Sequence, residues 1–173
     1  MTDKITLLFV EHTGHVLAAV TRNADPTGPI SAGELAAGGL LVRGFSPQAQ
    51  FEVSSEQLAV LTVDLDPVVL LQPRTYRVEQ AQAVPLPSTL VTDLTVKLTA
   101  TNVEVSLTGS APEETRVWFQ IEGGHLTSPL VAYGVIPTGM QKVTLPIEAL
   151  GPGTYNVLVL VVDYPPFMHS QPV

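Results

Sequence analysis

The chain has 173 residues, enough for one large or two small domains whose cores need no covalent staples. It contains no cysteine, which excludes disulfides, zinc-thiolate centres and cysteine nucleophiles, and its net charge of -8 disfavours a nucleic-acid phosphate backbone as partner. Only 14% of residues are charged, against roughly 25% in typical soluble domains, and mean hydropathy is positive, which reads equally as surface covered by another subunit or as a two-sided β protein surfaced with Thr, Ser and Gln.

The charge deficit is shared evenly. Residues 1–84 carry 5 basic and 9 acidic residues and residues 85–173 carry 3 and 7, so each half comes to -4 and there is no acidic tail or basic arm. Met1-Thr2-Asp3-Lys4 leads directly into an alternating segment without the cationic and apolar regions of a signal peptide. Cytoplasmic synthesis without membrane contact is therefore expected. The apolar run Val157 to Val162 is too short to span a bilayer and reads as a buried strand.

In chain order, Ile5–Val10 and Val16–Val20 predict a hairpin closed at Thr13-Gly14, where glycine supplies the positive φ of a tight turn. Asn23–Pro29 is a Pro/Gly-rich excursion. Ser31-Ala32-Gly33-Glu34 has capping-box spacing and predicts one helical turn through Ala37, stopped by Gly38-Gly39. Strands are expected at Leu40–Phe45, Gln50–Val53, Leu58–Leu65, Val68–Leu71 and Thr75–Val78, with a short helix over Ser54–Gln57 as the alternative before Leu58. Pro47, Pro67 and Pro73 mark strand ends.

Ala83–Thr89, with Pro85 and Pro87 at alternate positions, marks an extended joint between residues 1–84 and 93–173, the linker spanning 85–92. Beyond it Leu94, Val96 and Leu98 alternate, then Val103, Val105 and Leu107. Further strands follow near Arg116–Ile121, Leu130–Ile136, Met140–Leu145 and Thr154–Val162. The fold class is all-β: a small N-terminal β-barrel or sandwich-like domain followed by an antiparallel sandwich.

The segment Ala149-Leu150-Gly151-Pro152-Gly153-Thr154-Tyr155, running into Asn156–Val161, resembles the tyrosine corner of immunoglobulin-like and fibronectin type III sandwiches. Trp118 on the third strand, with Val117, Phe119 and Ile121 on the opposite face, is similar to the tryptophan those folds bury. The resemblance covers roughly residues 90–165. It implies a Tyr155 hydroxyl bonded to backbone upstream, and it implies an architecture without an activity.

Candidate sites are sparse. His12 and His15 flank the Thr13-Gly14 turn, which in a two-residue loop would make them facing residues; they are the metal candidates, although without a third ligand a solvated hairpin tip is the simpler reading. Asp64 and Asp66 stand two apart, but a strand end entering a turn accounts for them. No nucleophile elbow, phosphate loop or dinucleotide fingerprint occurs, so no enzyme and no cofactor are expected. The proline-stiffened segment from Tyr164 to Val173 offers Tyr164, Phe167 and Met168 as an arm to dock on another subunit; the alternatives are that it folds back over its own sandwich or frays. Its three prolines suit a final sandwich strand poorly.

These readings point to a non-catalytic structural or adaptor subunit of a homo- or hetero-oligomeric assembly, built inside the cell like a phage-tail or injection-particle component. A ligand-binding module for sugar or peptide, using loops around His125 and Tyr133, is the alternative.

Overall fold

The computed structural model describes residues 3–22, 30–44, 50–87 and 94–173. The chain divides into two compact units, Met1–Val42 with Glu52–Pro87, and Arg43–Phe51 with Ser88–Val173. Arg43, Gly44, Gln50 and Phe51 thus group with the second unit, a long-range assignment that local pattern does not carry.

In the first unit, β1 (Lys4–Val10) lies between β2 (Val16–Arg22) and β5 (Leu58–Asp64) in an antiparallel sheet. As the central strand it is buried on both faces: Ile5, Leu7, Leu8 and Val10 are inaccessible or nearly so, and the Thr6 hydroxyl meets that of its cross-strand partner Thr62 at 3.3 Å. The β1–β2 register shifts between Leu8 and Phe9, where Leu17 is the extra residue of a bulge. Ile5, Leu7, Val16 and Val69 form the core of one face.

The capping box is present. Ser31 Oγ accepts from the Glu34 amide, the Glu34 carboxylate accepts from the Ser31 amide, and α1 (Ala32–Ala36) ends on Ala37 in the left-handed region. Then β3 (Gly39–Arg43) pairs with β4 (Gln50–Ser54), and a 3-10 turn at Ser55–Gln57 leads into β5, so the helical alternative holds there.

The strand expected at Val68–Leu71 is a helix, α2 (Pro67–Leu71). Its β-branched run favours a strand, but Asp66 caps the Val68 amide at 2.8 Å and Pro67 presets φ for the first helical position. After another 3-10 turn, β6 (Tyr76–Glu79) pairs with β7 (Gln82–Pro85) through Gln80 and Ala81, both at positive φ. Ala83–Pro85, expected in the joint, therefore completes a hairpin, and the Leu86 amide still bonds to Thr75 O. Residues 88–92 of the expected linker and the 23–29 excursion lie outside the described residues. No described sheet closes, so the barrel alternative is replaced by open sheets.

The second unit stacks two antiparallel sheets. One has the order β12 (Lys142–Pro146), β9 (Asn102–Leu107), β8 (Leu94–Leu98); the other has β11 (Leu130–Ile136), β10 (Thr115–Gly123), β13 (Thr154–Val161), β14 (Phe167–Pro172). Leu94, Val96, Leu98, Val103, Val105 and Leu107 from the first meet Val117, Phe119, Ile121, Val157, Val159 and Val161 from the second in one core. Trp118 points away from that core and is also fully buried.

The chain crosses from the first sheet to the second between β12 and β13, and Tyr155 pins the crossing. Its ring is buried and its hydroxyl donates to Gly151 O at 2.8 Å. Gly124 lies against the ring at φ +57, where an added Cβ would stand 2.3 Å from Tyr155 Cε1.

Two substitutions separate the bond from the packing. Tyr155→Phe removes only the hydroxyl and is expected to cost about 1 kcal/mol. Gly124→Ala meets a buried ring at a backbone angle alanine resists, and is expected to cost more, about 2–3 kcal/mol. Urea midpoints followed by Trp118 fluorescence give both values; a Gly124→Ala midpoint equal to wild type would show that the ring moves aside freely.

Candidate functional site

The residues singled out from sequence are not brought together. The β1–β2 loop runs from Glu11 to Gly14: the Val10 amide donates to His15 O at 3.0 Å and the Gly14 amide donates to Val10 O at 2.8 Å. His12 is thus inside the loop, and His15 has no His12 opposite it. The expected solvated tip is also corrected. Thr13 and His15 are fully buried, His15 forms a bridge with Arg77, and the Val78 amide donates to Gly14 O at 2.7 Å. A Cβ on Gly14 would stand 2.5 Å from Val78 O, so glycine is required for this approach as well as for φ +78. Among the described residues no group of three or more His, Asp or Glu is placed to hold a metal.

Asp64 and Asp66 have separate structural roles. Asp64 pairs with Lys4 at 2.5 Å and Asp66 caps α2. Both border an open hollow of about 480 Å³ with Thr62, Val69 and Gln82.

The C-terminal arm is a strand. β14 pairs with β13 from Val159↔Phe167 to Thr154↔Pro172, and the Gly153 and Val173 backbones exchange hydrogen bonds beyond it. Met168 is buried, Tyr164 and Phe167 pack against the sandwich core, and the Phe167 and His169 rings lie 4.7 Å apart. All three thus pack within their own domain, Met168 fully and Tyr164 and Phe167 in part. The prolines tolerate this because Pro165 and Pro166 precede the strand and Pro172 ends it on a sheet edge.

His125 does line a groove, of about 310 Å³, with Thr127, Ser128, Glu148, Gly151 and Tyr155. Its hydroxyls, imidazole and carboxylate offer hydrogen bonds to a polar ligand. It offers no ring face for a sugar to stack on, because Tyr155 is 1% exposed. Tyr133 is not part of this groove.

Tyr133 belongs to a different feature, which the sequence reading missed. It is 65% exposed at the centre of β11, which pairs with β10 on one side and, among the described residues, ends its sheet on the other. Edge strands present unpaired backbone groups and are ordinarily blunted by charge, proline or cover. β8 carries Lys97, and its edge is closed by Gln171 of β14, whose Oε1 accepts from the Leu98 amide at 2.9 Å while Nε2 donates to Val96 O at 3.0 Å. β12 carries Lys142 and ends in Pro146; β14 ends in Pro172. β11, Leu-Val-Ala-Tyr-Gly-Val-Ile, has neither charge nor proline, and no Asp, Glu, Lys or Arg occurs from Gly123 to Gln141. The missing signal was sheet order, since the uncharged stretch itself is plain in the sequence.

One ion pair on this unit links neighbouring strands. Lys142 Nζ donates to the Glu104 carboxylate at 2.9 Å, and this bond, with the lysine's charge, holds the Glu104 carboxyl below the usual glutamate range. Among the described residues, no helix is long and apolar enough to cross a membrane. No protein-family model, curated protein or solved structure matches the chain.

Two predictions follow from this geometry. Deleting residues 164–173 strips β13 of its neighbour and Gln171 from β8, so the second unit is expected to lose its cooperative unfolding transition; a truncated chain with a native-like transition would return these residues to the role of a dispensable arm. Lys142→Met is expected to raise the Glu104 pKa toward its ordinary value in a carboxyl NMR titration. Because the folded-state pKa is depressed, the pair's contribution is present above the unfolded-state value and is lost as pH falls through the folded-state value. Wild type and variant should therefore converge in stability at acid pH.

Proposed function

We propose that this chain is a non-catalytic structural or adaptor subunit of a larger protein assembly, and that it makes contact through the edge of β11. The observation that carries the reading is the combination of an edge strand with no charge or proline and an exposed Tyr133 at its centre. An exposed edge of this kind accepts another strand through main-chain hydrogen bonds, and a large aromatic at its middle supplies contact area at low entropic cost. The low charge content supports the same reading, as does the fold: three strands against four, with a tyrosine bond at the crossing, are what an immunoglobulin-like or fibronectin-type spacer would have. Intracellularly built particles of the phage-tail or injection-particle kind are the class of assembly this fits by analogy.

The groove at His125 supports a second reading, a binding module for a sugar or peptide held by Thr127, Ser128 and Glu148. The buried ring of Tyr155 favours it less for a sugar, since a stacking platform is missing.

The test is the mass of the species that carries the tagged chain in an extract of its native source, measured by sedimentation. A species well above the chain's own 18.4 kDa is expected. Val131→Lys puts a charge on the outward face of β11 and is expected to release the chain, whereas Thr95→Lys on β8 leaves the species intact. A native species of 18.4 kDa would overturn the proposal.

A further inference from the structure

The residues of β11 read nearly the same in both directions about Tyr133: Leu130 matches Ile136, Val131 matches Val135, and Ala132 matches Gly134. In an antiparallel pair, directly opposed residues share a face. A second β11 laid antiparallel and centred on Tyr133 would set Val131 against Val135 on the outer face. Ala132 would oppose Gly134, and Leu130 would oppose Ile136, on the face that packs against the core. Like sizes meet at every position, and the tyrosines meet on the two-fold axis. Isologous pairing requires this kind of self-complementarity.

Electrostatics select the same partner position. Two copies each carrying -8 repel over most approaches. The stretch from Gly123 to Gln141 carries no Asp, Glu, Lys or Arg, so edge-to-edge contact at β11 brings no like charges together. Met140, 54% exposed, lies in the same uncharged stretch. We infer that the partner of the β11 edge is a second copy of this chain, joined by antiparallel β11–β11 pairing centred on Tyr133 into one continuous sheet. A seven-residue edge with one large aromatic falls short of the roughly 1,200 Å² total that stable interfaces bury, so the pair forms in a concentration-dependent way unless further contacts in an assembly hold it.

This inference rests on the reading of β11 as the contact edge. Its test uses the full chain, whose lack of cysteine gives cross-linking no background. Tyr133→Cys, at an exposed position, is expected to form a disulfide-linked dimer under mild oxidation, because opposed residues have Cα atoms about 4.5–5.5 Å apart, within disulfide reach. Val131→Cys alone is expected to stay monomeric, since its own copy lies four residues of rise away, about 13 Å. A mixture of Val131→Cys and Val135→Cys chains is expected to cross-link. Light scattering of the unmodified chain should show mass rising toward twice 18.4 kDa with concentration.

Equal cross-linking of Tyr133→Cys and Val131→Cys would overturn the register. A chain that stays monomeric at every concentration and gives no Tyr133→Cys dimer would overturn self-pairing. If its native species were still large and released by Val131→Lys, the assembly reading would stand with a different partner strand. A native species of 18.4 kDa would remove both.

Discussion

The hydrogen bond from Tyr155 to Gly151 O holds the last of the three points at which the chain passes from one sheet to the other. Everything downstream depends on that crossing. If β13 began one residue earlier or later, period-two alternation would turn Val157, Val159 and Val161 out of the core and Leu158 and Leu160 into it. β10 and β14 pair with β13 on either side, so the same slip would move Phe119 and Met168. One buried ring, held by a hydroxyl and closed over by Gly124, thus stands at the entry to the strand that pairs with both β10 and β14. The residual stiffness of a Pro-Gly turn could not set the register of that strand alone, because a turn fixes direction and leaves register to the side chains.

Edges are the second constraint, and the second unit meets it with few charges. Gln171 closes β8 by presenting one side-chain amide as a substitute peptide unit: its oxygen takes the Leu98 N–H and its nitrogen gives to Val96 O, the groups a neighbouring strand would have satisfied. The device ties β14 to the opposite sheet, so the C-terminal strand locks both the sheet it belongs to and the edge facing it. A low charge fraction is compatible with a folded unit because an amide and terminal prolines add to Lys97 and Lys142 at these edges.

What the sequence made legible follows from how local each signal is. Alternation at Leu94, Val96 and Leu98, the Ser31/Glu34 capping box and the tyrosine at the start of β13 are read within a few residues and stand in the structure. Val68–Leu71 misleads because β-branching argues for a strand while Asp66 and Pro67, just upstream, supply helix-start chemistry that outweighs it. The His12 and His15 geometry was illegible because loop length is set by the bulge at Leu17 and by the approach of Gly14 to Val78, both products of distant pairing. Sequence leaves the C-terminal segment open between a docking arm and a strand of its own domain for the same reason, since only sheet pairing shows that its prolines fall at the ends of an edge strand. Tyr133 looked like a leftover aromatic, since nothing near it in sequence says that β11 closes its sheet.

The edge of β11 is what the proposed function rests on. The uncharged stretch from Gly123 to Gln141 would need no explanation in a central strand, where both neighbours cover the backbone. Sheet order places its strand at an edge, and there the absence of charge and proline removes the usual barriers to another strand. The same domain closes β8 with Gln171 and ends β12 and β14 in proline, so the chemistry for blunting an edge is present in this unit and β11 stands outside it. Among the described residues, the two sheets of this unit thus have three blunted edges and, at β11, a fourth that carries neither charge nor proline and holds the exposed Tyr133 at its centre.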